Sequence, residues 1–238
     1  MKVRGTRECQ DCGAQWSYYE TGSVTCPECE SMRSVGLEAS RVQHTDSPET
    51  LELAEAREAT DDRPLREAAD LAGDAAREYV RKRGFINGGE LRPLDDTYLA
   101  AQELRHVADV VGRTFETTDD EEIYFFSLLR GADEGERPAT ADVPESMHDV
   151  RGLAYAEALD EYHGEMREWV REHDVGRDGR TTLETLGEHV RRARALEAGL
   201  DIDAADGLVS AARDLSRYLR DGDEDALVST RDTLSRLW

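Results

Sequence analysis

The residues that could do chemistry are four cysteines near the start of the chain. They form two Cys-x-x-Cys pairs, Cys9/Cys12 and Cys26/Cys29, with thirteen residues between the pairs, and the 238-residue chain contains no other cysteine. Each pair can turn two thiolates toward one centre, and a hairpin between the pairs would bring all four sulfurs together. The spacing therefore predicts a tetrahedral four-sulfur metal site. Two vicinal redox pairs or free thiols are the alternative.

Zinc is the metal that this donor set favours. Four protein thiolates close the coordination sphere and leave no position for water or substrate, so we expect a structural site and not a catalytic one. Gly13 follows the first pair, where a backbone that turns beneath a metal needs a residue free to take a positive φ. The sequence thus predicts one structural Zn²⁺ in a small ribbon.

The segment between the two cysteine pairs predicts a short hairpin. Residues 21–23, Thr-Gly-Ser, have the composition of a turn, and strands are expected at 15–20 and 24–25. Such a small sheet buries little surface, and Trp16, Tyr18 and Tyr19 are expected to provide the apolar cover that it otherwise lacks.

The stretch from Cys9 to Cys29 resembles a zinc ribbon of the transcription factor IIB type. The chain is most similar to the zinc-ribbon-containing proteins of halophilic archaea, which join an N-terminal ribbon to an acidic helical region. The resemblance implies Cys9, Cys12, Cys26 and Cys29 as the ligands. Likeness to the transcription factor itself covers about the first 40 residues, and neither its basic linker nor its positively charged helical repeats follow.

The charge balance of the chain is strongly acidic. Thirty basic residues face 53 acidic ones, the net charge is −23, and lysine occurs twice, at Lys2 and Lys82. This composition resembles that of halophilic archaeal proteins, in which carboxylates hold water and cations at the surface. At about 1 M salt the Debye length is about 3 Å, so like charges repel little. The acidic residues are therefore interpreted as solvating the protein surface. An acidic surface that mimics nucleic acid is the alternative.

The first residues do not have the pattern of a secretory signal. Residues 1–5 are basic, but no apolar run follows them, and no stretch approaches 18 apolar residues. We therefore expect a cytoplasmic protein without membrane contact. Because the cytoplasm is reducing, clustered cysteines there favour a metal over disulfides.

The predicted fold class is mainly α, with a small N-terminal β zinc ribbon at 1–42 and an acidic all-α region after it. Residues 43–49 are interpreted as a polar linker, and no strand pattern is evident after the ribbon. An acidic linker at 132–144 is expected to separate helical subdomains at 43–131 and 145–238, one bundle with a long crossover being the alternative. Apolar periodicity predicts helices at 48–59, 63–84, 96–115, 120–130, 145–173, 182–198, 203–220 and 224–236.

Three further stretches could be functional or structural. Residues 121–132 are the most apolar in the chain and are interpreted as a buried helix, with a partner groove as the alternative. Tyr155, Leu159, Tyr162, Met166 and Trp169 share one helical face, which predicts core packing. Residues 85–90, Phe-Ile-Asn-Gly-Gly-Glu, are interpreted as a helix stop and turn, with a phosphate-binding loop as the alternative.

An iron enzyme of the rubrerythrin type is a competing hypothesis. Such proteins place Glu-x-x-His pairs inside a helical bundle, and this chain contains Glu103/His106 and Glu145/His148. At 100° per residue, His106 points nearly opposite the apolar face that contains Val107, and Glu103 lies at the edge of that face. The helical pattern therefore argues against a di-iron site.

The ribbon is predicted to dock the chain to another macromolecule without catalysing a reaction. Residues 1–42 carry a net charge of −1, which leaves −22 for the other 196 residues. The ribbon is therefore the surface best suited to contact a partner, and we expect that partner to be a protein. Binding to nucleic acid through Arg4, Arg7 and Arg33 is the alternative, although these residues do not form the dense basic cluster typical of such proteins.

Overall fold

The chain is described here by a computed structural model that covers residues 1–114, 116–196 and 200–237. The predicted mainly α fold with short N-terminal strands is confirmed. The predicted helix ends at Phe115 and at residue 198, and the side chain of Trp238, lie outside the described residues. The chain forms two compact units: Met1–Glu49 with Lys82–Arg92, here called the N-terminal unit, and Thr50–Arg81 with Pro93–Trp238, here called the helical unit.

The N-terminal unit contains three small antiparallel sheets and one short helical turn. The strands are β1 (Lys2–Val3), β2 (Thr6–Cys9), β3 (Gln15–Ser17), β4 (Ser34–Gly36), β5 (Val42–Gln43), β6 (Ile86–Asn87) and β7 (Glu90–Leu91), and the turn is α1 (Tyr18–Thr21). The order β3-β2-β4 forms the largest sheet, while β1 pairs with β5 and β6 pairs with β7. The predicted strand at 24–25 is not formed, and residues 18–20 turn helically instead of extending β3.

The hairpin of β6 and β7 corrects the expectation that no strand follows the ribbon. Its two-residue turn consists of Gly88 and Gly89, whose φ angles are 61° and 92°. Positive φ at both turn residues suits the right-handed twist of two tightly connected strands, and glycine adopts it without steric cost. Each strand is two residues long, so the sequence has no room for the alternation by which strands are recognised.

The predicted polar linker at 43–49 is instead an ordered part of the N-terminal unit. Gln43 belongs to β5, and its carbonyl accepts a hydrogen bond of 2.8 Å from the Gly89 N–H. His44 is fully buried, and its Nδ1 accepts from the Gly88 N–H at 3.2 Å. The Thr45 N–H donates to the Ile86 carbonyl at 2.8 Å. These bonds attach the segment to the β6–β7 hairpin, a partner distant in sequence.

The helical unit consists of eight α-helices, as far as the structure describes it. They are α2 (Ala54–Asp62), α3 (Leu65–Lys82), α4 (Asp96–Arg113), α5 (Asp119–Gly131), α6 (His148–Val170), α7 (Arg177–Ala195), α8 (Ile202–Asp221) and α9 (Glu224–Arg236), with three 3-10 turns between α5 and α6. The last residue of α3, Lys82, is assigned to the N-terminal unit. Eight helices were predicted, and each has a counterpart.

Two helix starts differ from their predicted positions. The helix expected from residue 48 begins at Ala54, because Leu51 and Leu53 are both buried while Glu52 between them is exposed. Alternating burial is the signature of an extended segment. The helix expected from residue 182 begins at Arg177, with Gly176 as its N-cap.

The compact units do not follow the predicted domain boundaries. Residues 50–81 and 93–237 lie in one unit, because α4 packs against both α5 and α6 across the segment predicted as a linker, 132–144. The predicted core face of α6, from Tyr155 to Trp169, is buried as expected. A shared core therefore joins the two halves that composition alone separates.

Helix α5 is only partly buried. Tyr124, Phe125, Leu128 and Leu129 lie in the core, as predicted, whereas Ile123 is 63% exposed. One side of this helix therefore packs in the core and another side faces solvent. The sequence does not indicate which side is buried, because apolar residues occur all round the helix.

Glu103 occupies the core of the helical unit, not the edge of a helix face as its position in the sequence suggests. It is 0% exposed on α4, and three side chains from other helices satisfy it. The hydroxyl of Tyr124 donates to Oε1, and that of Tyr155 donates to Oε2 at 3.0 Å. The Nε of Arg151, a residue that is 3% exposed, lies 3.4 Å from Oε2. Burial raises the pKa of Glu103, while Arg151 opposes that shift.

None of the helices in the described part of the chain has the length and apolar character that a membrane span requires.

We expect Arg151→Met to lower the free energy of unfolding by about 3–5 kcal/mol, because it leaves the carboxylate of Glu103 buried without its cation. Denaturant unfolding in molar KCl measures the loss. The matched control is Arg194→Met, which breaks an ion pair with Asp160 whose partners are 50% and 38% exposed; it should cost about 1 kcal/mol or less. The double variant Glu103→Leu/Arg151→Met should recover part of the loss. Equal losses of unfolding free energy in Arg151→Met and Arg194→Met would contradict the role of Arg151 as the cation that pairs with buried Glu103.

Candidate metal centre

The two Cys-x-x-Cys stretches form turns of matching geometry. In the first, the Cys9 carbonyl accepts from the Gly13 N–H at 3.0 Å, and the Cys9 N–H donates to the Ala14 carbonyl at 2.8 Å. In the second, the Cys26 carbonyl accepts from Glu30 at 3.0 Å, and the Cys26 N–H donates to Ser31 at 2.9 Å. The same pair of backbone bonds therefore closes both turns.

The fifth residue of each turn adopts a left-handed backbone conformation. Gly13 has a φ of 78°, as predicted, and Glu30 has a φ of 59°. Among the described residues other than glycine, Glu30 is the one with a positive φ. The conformation is free of strain in glycine but costs a residue with a Cβ about 1–2 kcal/mol. The second turn therefore contains strain that the first avoids.

The three-stranded sheet positions the two turns. Cys9 is the last residue of β2, which continues through the first turn into β3, and the antiparallel register places Glu8 opposite Gln15. The strand that follows the second turn, β4, pairs with the other edge of β2, with Cys9 opposite Ser34. The first turn itself therefore connects the β2–β3 hairpin. The predicted turn at 21–23 instead ends α1, with Gly22 at a φ of 63°.

The structure brings all four predicted cysteines together. Their sulfur atoms lie within 4.8 Å of one another. The Cys9–Cys29 and Cys12–Cys26 sulfur distances are both 3.6 Å, far beyond the roughly 2.05 Å of a disulfide. With metal–sulfur bonds of about 2.3 Å, the edges of a tetrahedral zinc site are about 3.8 Å. The cluster therefore fits a single tetrahedral metal ion.

The inner side of the cluster is covered by one aromatic residue. Cys9, Cys26 and Trp16 are buried against one another, with Ala14 beside them. The indole N–H of Trp16 donates to the Ser23 carbonyl at 3.0 Å, which fixes the ring and the chain before the second turn. Cys12 and Cys29 remain exposed. The centre thus lies at the surface of the unit, with two sulfurs facing the core and two facing solvent.

Two of the three aromatic residues that were expected to cover the small sheet lie apart from the sulfur cluster. The rings of Tyr18 and Tyr19 pack against His44, with centroid distances of 5.7 and 4.9 Å. Trp16 alone of the three predicted aromatic residues belongs to the cluster around the cysteines. The aromatic pair therefore stabilises the buried histidine of the same unit and not the sulfur cluster.

Without a cation the thiols of Cys9 and Cys29 do not ionise alike. The N–H groups of Cys12 and Asp11 donate to the Cys9 sulfur and lower the pKa of its thiol to about 6. At Cys29 the Ser31 N–H favours the thiolate, but the neighbouring sulfurs and desolvation outweigh it and raise the pKa to about 12. A divalent cation among the sulfurs would remove this repulsion and release the remaining protons.

An exposed polar contact that the sequence did not reveal joins the two turns. Asp11, inside the first Cys-x-x-Cys, accepts from Arg33 Nη1 at 2.8 Å through Oδ1 and from the Ser31 hydroxyl through Oδ2. The ion pair is largely solvent-exposed and contributes little stability. The contact restricts how the second turn lies against the first. It also engages Arg33, one of the three arginines through which nucleic acid was the alternative partner.

The two Glu-x-x-His pairs do not converge. Glu103 bonds to the tyrosines of the core, whereas His106 Nε2 lies 3.1 Å from a carboxylate oxygen of Glu157. Near the start of α6, His148 Nε2 donates to the Val143 carbonyl at 3.1 Å, and Glu145 is exposed. Within residues 1–114, 116–196 and 200–237, the four cysteines are the one group of three or more potential ligands close enough to hold a metal.

Comparison with known proteins gives one match. A family model whose description is "Family of unknown function (DUF7117)" matches residues 1–234. No curated protein and no solved structure matches the chain.

We expect Gly13→Ala to weaken metal retention and Glu30→Gly to strengthen it, because the two changes add and remove the same backbone strain. The added methyl at Gly13 would meet nothing within 4 Å, so its cost is the conformational strain of about 1–2 kcal/mol. Glu30→Gly should gain about 0.5–1 kcal/mol after the entropy cost of glycine. Competition with a chromophoric chelator measures both. Glu30→Gln is the control, since it removes the charge and keeps the strain. Shifts of the same sign in Gly13→Ala and Glu30→Gly would contradict the interpretation.

Proposed function

The chain belongs to the family of unknown function DUF7117, and we propose that its N-terminal unit is a structural zinc ribbon that docks the protein to another macromolecule. The observation that carries this proposal is the convergence of Cys9, Cys12, Cys26 and Cys29. Four sulfur ligands would complete the tetrahedral coordination of Zn²⁺ and leave no open position. The centre would then stabilise a fold and catalyse no reaction.

Zinc suits the part of the N-terminal unit that carries the cysteines, because that part has few other sources of stability. The three-stranded sheet has strands of three or four residues, and the cluster of Cys9, Trp16 and Cys26 provides little apolar burial. Structural zinc contributes its binding free energy directly to folding. Clustered cysteines that bind a metal and form no disulfide are typical of a reducing compartment, which supports a cytoplasmic location.

The docking surface that we propose is the outward face of the three-stranded sheet. Side chains alternate across a strand, so Trp16 and Cys9 face the metal cluster, while Val35 and Leu37 lie on the opposite side, and both are exposed. Met32, 77% exposed, precedes them. Exposed apolar side chains that lie close together are typical of protein–protein contacts.

The distribution of exposed apolar residues supports the same surface. Among the described residues, eight large hydrophobic side chains are exposed, and five of them belong to the N-terminal unit: Met1, Val24, Met32, Val35 and Leu37. This unit contains eight basic and nine acidic residues and carries a net charge of −1 out of −23. A partner would therefore meet little electrostatic repulsion here, in contrast to the helical unit.

A protein partner is favoured over nucleic acid by the contacts of the arginines. Arg7 donates to the Ser34 hydroxyl and carbonyl, at 3.0 and 3.1 Å, and Arg33 pairs with Asp11. These guanidinium groups are engaged within the ribbon and do not form a row that could follow a phosphate backbone. The resemblance to the ribbon of a general transcription factor supports a partner related to transcription.

We expect one colourless zinc ion per chain in protein purified in molar KCl without added metal, and loss of that ion in Cys26→Ser. Elemental analysis with the visible spectrum measures the first. In Cys26→Ser the N-terminal unit should become sensitive to protease while far-UV circular dichroism retains the helical signal, because the metal stabilises that unit alone. Iron in place of zinc, or unchanged zinc and protease protection in Cys26→Ser, would contradict the proposal.

We expect Val35→Asp/Leu37→Asp to weaken partner binding by about tenfold or more, since burying one such side chain is worth about 1.5–3 kcal/mol. Quantitative cross-linking and pull-down with zinc-loaded protein measures the effect. Val228→Asp on α9 is the matched control, because Val228 is 64% exposed outside the ribbon. Retention of the same partners by the ribbon variant, or their equal loss in the Val228 control, would contradict the docking surface.

A further inference from the structure

The acidic helical unit contains a cleft whose lining is net positive. The cleft lies between α6 and α7 and has a volume of about 440 Å³, within the range of roughly 300–1,000 Å³ typical of small-molecule sites. Four arginines line it, Arg167 and Arg171 from the end of α6 and Arg180 and Arg191 from α7. This concentration of positive charge stands in a unit whose net charge is −22.

Three of the four guanidinium groups of the cleft are not used by the fold. Those of Arg167, Arg171 and Arg191 form no hydrogen bond or ion pair with any residue that the structure describes. Elsewhere in the same unit arginines commonly pair with carboxylates, as Arg213 does with Asp96 at 2.8 Å and Arg217 with Asp214 at 2.8 Å. The cleft therefore keeps donors available that a purely structural surface would have neutralised.

The fourth arginine of the cleft is oriented by the backbone. Arg180 donates from Nε to the Val175 carbonyl at 3.0 Å and from Nη2 to the His173 carbonyl at 3.2 Å. These bonds fix the guanidinium at the end of the cleft near the loop that joins α6 to α7. Pre-orientation of this kind lowers the entropy cost of binding a ligand.

The inner wall of the cleft is apolar. Val170 and Leu183 are buried there, and so is the ring of His163, whose Nε2 donates to the Leu183 carbonyl at 3.1 Å. Burial lowers the pKa of His163, and the charges of Arg167 and Arg191 lower it further. The imidazole is therefore neutral near pH 7 and adds a ring face to the wall and no charge.

Two carboxylates share the cleft but do not cancel its charge. Glu184 and Glu188, both on α7, are exposed, and neither pairs with one of the four arginines in the described structure. Four guanidinium groups against two carboxylates leave a net charge of +2. An anionic ligand that meets the arginines while its uncharged part contacts Val170 and Leu183 would match this lining.

We propose that the cleft between α6 and α7 binds a small organic anion with at least two negative groups, phosphate or carboxylate, held by Arg167, Arg171, Arg180 and Arg191. Bidentate guanidinium contacts are the geometry with which arginine recognises both groups. At about 1 M salt the Debye length is about 3 Å, so recognition relies on hydrogen bonds at contact distance and on the apolar wall.

The test is calorimetric titration of the full-length, metal-loaded protein with ADP and with citrate, at the lowest KCl concentration that preserves the wild-type circular dichroism spectrum. ADP represents the phosphate class and citrate the carboxylate class. The variants are Arg167→Gln, Arg191→Gln and the double substitution. Arg66→Gln is the matched control, since Arg66 is exposed on α3, forms no ion pair in the described structure and does not line the cleft.

We expect saturable one-to-one binding of at least one probe, with a Kd of about 1 mM or below. Each cleft variant should weaken it by about tenfold or more, because a hydrogen bond to a charged group is worth about 1.5–3 kcal/mol, and Arg66→Gln should leave it unchanged. Binding of ADP alone would assign phosphate, and binding of citrate alone would assign carboxylate. Absence of saturable binding by both probes, or equal affinities in the cleft variants and the control, would overturn the proposal.

Discussion

The N-terminal unit depends on one electrostatic constraint: four sulfur atoms lie within 4.8 Å of one another. Backbone N–H groups favour the thiolate of Cys9, whose thiol loses its proton easily, whereas repulsion from the neighbouring sulfurs makes Cys29 hold its proton strongly. A bound cation would resolve this conflict. The local structure suits such a cation, since the two matched turns bring the sulfurs together, the β2–β4 pairing brings the second turn beside the first, and Trp16 covers the buried pair. Even the unfavourable backbone of Glu30 is consistent with it, because metal binding can offset strain in a turn.

The helical unit relies on a different use of charge. Glu103 and Arg151 are buried between α4 and α6, where the hydroxyls of Tyr124 and Tyr155 complete the hydrogen bonds of the carboxylate. A buried polar network destabilises the fold when one of its members lacks a partner, and it specifies one packing arrangement when every member is satisfied. It allows α4, α5 and α6 to meet in one arrangement, and it explains why a chain with an acidic, irregular segment at 132–144 still builds a single core across it.

The two units therefore differ in the surface that each offers to a binding partner. The N-terminal unit is nearly neutral and exposes a group of apolar side chains around Val35, which suits contact with a protein. The helical unit is strongly acidic, and in its described part the cleft beside His163 gathers four arginines that the surrounding surface does not neutralise. The two proposals together assign recognition of a partner to the N-terminal unit and recognition of a small anion to the helical unit.

The sequence alone determined the cysteine cluster, because two Cys-x-x-Cys pairs encode the site locally, and it determined most helices and the core face of α6, because apolar periodicity is a local property of the chain. Tertiary structure decided what depends on distant partners. The strands at 86–91 are too short for a pattern and form because residues 43–46 bond to them. The helical pattern places Glu103 at the edge of an apolar face, and only its contacts with Tyr124, Tyr155 and Arg151 show that it lies in the core. The arginines of the cleft are spread over 25 positions from Arg167 to Arg191, and the packing of α6 against α7 brings them to one site.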